Sequence, residues 1–300
     1  MFETTLAVGQ PLVYEGFMKT TVLPTLESLD VTGKTVLVRV DLNVPMQAGR
    51  VTDATRINRI VPTLQYLMER DAKVVILSHL GRPKGFDPGQ SLAPLVDALS
   101  AALWDRPVKF APDCVGSAAK MAVEGASKGD VILMENLRFH AEEKANDTDF
   151  GRQMASLGDV FINDAFSCSH RAHASIVGIN PYLPSAAGRL MAEEVAALTR
   201  VLAEPARPLT AIVGGSKVST KLDLLSNLLE KVDNLVIGGA MANTFLHAQG
   251  IRMGASLCEV DMADTARAIM AKAEGAKCRI ILPVDAVVTT KLKAHAPAIV

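Results

Sequence analysis

The sequence predicts an α/β protein built as two doubly wound parallel-sheet, Rossmann-like lobes joined by a hinge helix, the second lobe incomplete. Three observations carry that prediction. Short apolar, β-branched runs recur without polar alternation, as strands buried on both faces do. Helix-period stretches separate them, the order expected of parallel sheets. The plan then starts again after RLMAEEVAALTRVLAEPARP (189–208), which reads as one long helix and a proline-punctuated turn.

The strand candidates of the first lobe are TVLVRVDLNV (35–44), KVVILS (73–78), VKFAP (108–112), DVILMEN (130–136) and DVFINDAF (159–166). Those of the second are LTAIVGG (209–215), NLVIGG (234–239) and RIILPVD (279–285). Between the first two lies DATRINRIVPTLQYLMERDA (53–72). Its Ile57, Ile60, Val61, Leu64 and Leu67 repeat at helical steps and give one apolar face. Asp53 stands where a cap belongs. KLDLLSNLLEKV (221–232) and MADTARAIMAKAEGAK (262–277) are helical in the same way. The expected domains are therefore 1–188, with 1–18 a loose extension, then the interlobe helix and hinge 189–208, then a partial lobe 209–300. Three strands are few for this architecture, and AVVTTKLKAHAPAIV brings no closing helix.

Bulk properties narrow the function. With 31 basic and 32 acidic side chains the formal net charge is −1, which disfavours a nucleic-acid binder working through a global basic field. The four cysteines, Cys114, Cys168, Cys258 and Cys278, form no C-x-x-C pair, so a reduced, cytoplasmic chain is expected. No apolar run reaches the length of a membrane span. The first residues lack a basic n-region and carry Glu3 and Glu15, a poor signal peptide.

In open α/β sheets ligands bind beyond the carboxyl ends of the strands. Those ends read RVDLNVP (39–45), SHLGRP (78–83), ENLRFH (135–140) and FSCSHRAHAS (166–175). Together they offer Asp41, Asn43, His79, Arg82, Arg138, His140, His170, Arg171 and His173, and Arg56 opens the following helix. A single arginine is usually a solvated surface group. Four of them gathered at strand ends point to one basic pocket for a small polyanion, because the guanidinium fork matches phosphate and carboxylate oxygens. In the second lobe VGGSKVSTK (213–221) and VIGGAMANTF (236–245) are strand–glycine–helix transitions whose backbone N–H groups favour phosphate. Lys217 and Lys221 share a face if both are helical. The Walker A spacing is absent.

These strings, in this order, resemble the phosphoglycerate kinase family from about residue 20 onward. The resemblance implies a glycolytic, cytoplasmic, monomeric kinase. It would transfer a phosphoryl group reversibly between 1,3-bisphosphoglycerate and ADP, giving 3-phosphoglycerate and ATP, with Mg²⁺ arriving on the nucleotide. It places the glycerate site at Asp41, Asn43, Arg56, His79, Leu80, Gly81, Arg82, Arg138 and Arg171. Arg56 would face the transferred phosphoryl group and, with Lys217, carry catalysis. The nucleotide would meet Gly215, Lys217, Lys221, Gly238 and Gly239. Glu194 matches the family's hinge glutamate, and lobe closure would exclude water. No metal ligand of the chain itself is implied, nor a nucleic acid or membrane partner. The family's later ribose glutamate, GGGD-type loop and tail have no counterpart here. The alternative is therefore a truncated, non-catalytic phosphoglycerate-binding fragment.

Two other readings are weaker. A nicotinamide oxidoreductase needs G-x-G-x-x-G after the first strand, and RVDLNVP has no glycine. A zinc site in Cys168–His173 lacks a second ligand pair, and phosphoryl transfer onto ADP needs no thiolate nucleophile. Cys168 reads as a small semi-buried residue, and the two histidines as groups that set charge and orientation around Arg171.

Overall fold

Val36, Leu37 and Val38 lie at the centre of β1 (Thr35–Arg39) and are fully buried, as a strand covered on both faces must be. The computed structural model describes residues 23–203, 205–291 and 293–300, so the extension expected at 1–18 lies outside the described residues. Five further strands complete the first sheet: β2 (Lys73–Leu77), β3 (Val108–Ala111), β4 (Val131–Met134), β5 (Val160–Asn163) and β6 (Ser185–Ala187). Their spatial order is β3-β4-β2-β1-β5-β6, all parallel. The first five match the runs read from the sequence. β6 was not anticipated, because Ser-Ala-Ala has no β-branched residue to announce a strand.

Alternate residues of these strands build two separate cores. Val36, Val38, Val74, Ile76, Leu133 and Ile162 pack with Ile57, Ile60 and Leu64 of the helix Thr55–Met68. Leu37, Val75, Ile132 and Phe161 pack on the other face with Ala119 and Val123 of Gly116–Glu124 and with Phe150 and Met154 of Thr148–Ala155. That is the doubly wound sandwich the apolar runs predict. Asp53 accepts the N–H of Thr55 at 2.8 Å, so it supports the first turn from one residue ahead of the capping position, which Ala54 occupies.

The chain goes from β1 to β2 on one side and later returns to place β5 on the other. The crevice between the carboxyl ends of β1 and β5 is thus a topological switch point, where ligands bind in such sheets. Register is matched there: Arg39 lies level with Leu77 of β2 and Asn163 of β5.

The chain divides into two compact units at Ala197–Leu198, within the helix Arg189–Ala203. The second unit has β7 (Thr210–Gly214), β8 (Asn234–Gly238) and β9 (Arg279–Ile281), parallel in the order β9-β8-β7. Its core joins Leu235 and Ile237 to Leu225, Leu229, Phe245, Ala266 and Ile269. These come from the helices Leu222–Leu229, Gly239–Ala248 and Ala263–Gly275. Ile212, Val236 and Ile281 stand in register on the opposite side, and Ile212 is 79% exposed. The second lobe is incomplete in this sense. No described helix is long and apolar enough to cross a membrane.

Candidate functional site

The strand-end motifs of the first unit converge. Asp41, Asn43, Arg56, His79, Gly81, Arg82, Arg138, Ser167, Cys168 and Arg171 line one open pocket of about 270 Å³. Eight of the nine residues assigned to the glycerate site are therefore brought together. The exception is Leu80, which is buried in the apolar core. An apolar side chain between His79 and Gly81 turns inward while its neighbours face the pocket. Its carbonyl accepts from Asn136 Nδ2 at 2.9 Å, which anchors the loop.

Each wall has a local cause. Gly81 has φ +63°, and a Cβ there would come 2.0 Å from Gln90 Oε1. Glycine takes this left-handed turn without strain, whereas an alanine would also have to push the Gln90 side chain aside. Its N–H donates to Asn43 Oδ1 (2.9 Å) and its carbonyl accepts from Arg138 Nη1 (2.6 Å), so three strand ends are tied at one point. Asn136 caps the short turn Leu137–Phe139 by accepting the N–H of Arg138, which aims that side chain. Glu135 accepts from Ser91 and from the N–H groups of Leu92 and Asn136, fixing the strand end beneath.

Asp41 bridges the switch point. It pairs with Arg56 and accepts from Ser167 Oγ (2.5 Å) and from the N–H of Asn43 (3.0 Å). Burial pushes its carboxyl up, but these donors and the nearby charges outweigh burial and hold it below the usual range. His79 is driven the other way. Burial, then the charges of Arg39 and Arg138, lower its pKa to about 3, so it is neutral near pH 7. Burial and the charges of Arg171 and Arg39 also lower the pKa of Arg138, whose Nε is buried without a partner. The pocket thus holds mutually repelling cations, an arrangement that an anion relieves.

Several residues were not singled out by their motifs. Ser167 lines the pocket. Arg39, Glu143 and Ser175 are fully buried beneath it. Arg39 left a signal: a charge inside the apolar run VLVRV is almost never buried unless it is paired. The histidines depart from expectation. His173 Nδ1 lies 3.6 Å from Glu143 Oε1 and so serves the buried carboxylate, His170 is exposed, and His140 pairs with Asp113 at 2.8 Å. Cys168 is buried and contributes to the pocket wall. Asp41, His79 and Cys168 stand close enough to share an ion. Yet Arg39 Nη2 occupies His79 Nδ1 at 3.0 Å, so the remaining ring nitrogen carries the proton and has no lone pair to ligate with.

In the second unit Gly239 has φ +68°, and a Cβ there would lie 2.9 Å from the carbonyl oxygen of Gly215. The carbonyl of Gly215 accepts the N–H of Met241 (2.8 Å), which joins the two glycine turns at the carboxyl edge of β7 and β8. Gly238 precedes the helix Gly239–Ala248, and Lys221 passes alongside Gly215. The condition for Lys217 and Lys221 to share a helical face is not met. Lys221 donates its N–H to the carbonyl of Val218 in a turn, and the helix starts only at Leu222. Glu194 lies in Arg189–Ala203 and, with Glu193, faces Arg59 at 3.6 and 3.3 Å, one turn beyond Arg56. The four cysteines are free thiols.

Comparison with known proteins accords with this geometry. A family model described as "Phosphoglycerate kinase" matches residues 26–300. A phosphoglycerate kinase of Bradyrhizobium diazoefficiens is 56% identical over 274 residues, which are 91% of this chain and 69% of that protein. One from Rhodospirillum centenum is 59% identical over 274 residues, again 91% and 69%. The solved structure of phosphoglycerate kinase from Coxiella burnetii superposes with a TM-score of 0.79 at 43% identity, covering 92% of this chain and 70% of that one.

Proposed function

The chain belongs to the phosphoglycerate kinase family, and on that premise we propose which of its residues serve the reaction. The family activity is reversible phosphoryl transfer between 1,3-bisphosphoglycerate and ADP. The observation that carries the assignment is the pocket at the β1/β5 switch point, lined by four arginines and a neutral histidine. Phosphoglycerate carries a phosphate and a carboxylate, and both are planar-fork partners for guanidinium groups.

In this reading Arg82, Arg138 and Arg171 hold the anionic groups of the glycerate. His79 donates from its protonated nitrogen, and Asn43 and Gly81 shape the wall. Asp41 holds Arg56 in place until the acyl phosphate competes for it. Arg56 then cancels charge on the oxygens of the transferred phosphoryl group. Catalysis of this kind rests on positioning and electrostatics rather than on covalent chemistry. The turns at Gly215 and Gly238–Gly239 offer backbone N–H groups to the nucleotide phosphates, and Lys217 and Lys221 add charge. Glu194 acts through Arg59 on the helix that carries Arg56.

Mg²⁺ prefers a shell of oxygens. Among the described residues, both clusters close enough to hold an ion contain a cysteine, which suits a hard cation poorly. In this reading the nucleotide brings Mg²⁺, and its phosphates would supply the oxygens. The four free cysteines favour a reduced compartment such as the cytoplasm.

Calorimetry tests the assignment directly. 3-Phosphoglycerate binds the full chain with an affinity that falls as salt rises, and Arg138→Ala or Arg171→Ala weakens it by about 10-fold or more. Unchanged binding in both variants removes the pocket from the reaction.

A further inference from the structure

Beneath the pocket a chain of buried polar groups runs from the core to His79. Glu143 comes from the helix Ala141–Ala145, Ser175 from the π-helical turn Ala174–Gly178, and Arg39 from the end of β1. All three are fully buried. Glu143 Oε2 accepts the N–H of Ser175 (2.9 Å), and its Oε1 accepts Ser175 Oγ–H (2.6 Å). Ser175 Oγ accepts in turn from Arg39 Nε (2.9 Å). Arg39 Nη1 donates to the carbonyl of Val40, and Nη2 donates to His79 Nδ1 at 3.0 Å.

We propose that Arg39, held in place by Glu143 through Ser175, is a positioning residue that fixes His79 as its Nε2–H tautomer at the pocket wall.

The argument is one of donor and acceptor inventory. A guanidinium has only donors, so the nitrogen facing it must accept. That leaves the single proton of a neutral imidazole on Nε2, on the side away from Arg39. The tautomer is thus set by chemistry and not by a choice of hydrogen placement. Arg39 itself is set by Ser175, whose hydroxyl hydrogen is committed to Glu143 and whose lone pair is thereby turned to Arg39. Glu143 supplies the counter-charge that a buried guanidinium requires.

The charged and titratable groups facing His79 are Arg39, Arg138, Asp41 and Glu143, with Cys168 close to its ring. The two arginines disfavour its protonation and the two carboxylates favour it. Burial sides with the arginines, so His79 meets a ligand as a neutral hydrogen-bond donor. This inference rests on the pocket being the phosphoglycerate site for its consequence, but not for its geometry.

The test is long-range ¹H–¹⁵N NMR of the full chain with ¹⁵N-labelled histidine, the His79 signal being identified by its loss in His79→Gln. Between pH 5 and 8 the unligated chain shows the Nε2–H pattern without titration. An Nδ1–H pattern, or protonation near pH 6.5, overturns the proposal whether or not any ligand binds. The double variant Arg39→Met with Glu143→Gln removes both buried charges together. In it His79 titrates inside that pH range, and the KM for 3-phosphoglycerate rises about 10-fold and becomes pH-dependent. Ser175→Ala repeats the effect more weakly, with both buried charges still present. A folded double variant whose His79 stays untitrated and Nε2-protonated also overturns the proposal. If the spectrum is as expected but 3-phosphoglycerate fails to bind the unaltered chain, the site assignment fails and the tautomer argument stands.

Discussion

On the proposed assignment the two units meet phosphate chemistry by different means. The first uses guanidinium side chains projected from a six-stranded sheet covered on both faces, with a buried network beneath. The second presents glycine turns and two lysines beside a three-stranded sheet whose helices pack into a single core. Side-chain recognition needs each long side chain braced: Arg138 by Gly81, Asp41 by Ser167, Arg39 by Ser175 and Glu143. Backbone recognition needs only that the chain turn correctly. A pocket of side chains is therefore sensitive to charge and packing, and a glycine turn to a single Cβ.

That contrast can be broken or sharpened at four levels. The largest effect is on packing in the second unit. Ile237→Ala empties a fully buried site and costs about 2–5 kcal/mol in urea unfolding, while Ile212→Ala on the outer face of the same sheet stays within about 0.5 kcal/mol. Equal losses at both positions would mean that the outer face is covered in solution. Next comes the first unit's chemistry. In a coupled assay Arg56→Ala lowers kcat by about 10²-fold or more and changes KM far less, as expected for a charge that acts in the transition state. An unchanged kcat rejects that role.

Smaller effects separate the two glycine positions. Gly239→Ala forces φ +68° on an alanine and drives its Cβ into the backbone of Gly215. It costs about 1–3 kcal/mol and weakens ADP binding without altering 3-phosphoglycerate binding. Gly81→Ala meets the far end of Gln90, which can move, so it costs less and acts on the glycerate alone. Calorimetry with each ligand checks both.

The last is a gradual dependence on acid that His79 brings to the first unit. An imidazole whose native pKa lies below its unfolded value takes up its proton more readily in the unfolded chain. His79 therefore weakens the native state as pH falls from about 6.5 toward 3. Asp41 and Glu143 are held below the usual carboxylate range, so their contribution is complete above about pH 4 and is lost only below it. Urea midpoints measured from pH 7 to 4 fall more steeply in the unaltered chain than in His79→Gln. Parallel curves would contradict the depressed imidazole.

What could be read without coordinates follows from where the information is local. Apolar runs such as KVVIL and helical spacings such as Ile57–Ile60–Leu64 announced strands, helices and the parallel architecture, because burial on two faces constrains each short segment by itself. The pocket residues were legible because the rule that ligands bind at strand ends turns a sequence position into a place. The sixth strand, Ser185–Ala187, was not legible: its pairing with β5 is a tertiary choice that its small side chains do not advertise. Leu80 shows the limit at single-residue scale, where its motif neighbours face the pocket and its own side chain joins the core.

The sequence alone therefore determined the family, the fold class and the set of basic groups that gather at one sheet edge. Only the tertiary structure decided which of them are braced, by what, and in which protonation state. Arg39 is 40 residues from His79 and 136 from Ser175 along the chain, yet bonded to both. Hydrogen bonds and desolvation act through space, over a few ångströms, and no local pattern encodes which distant groups will arrive there.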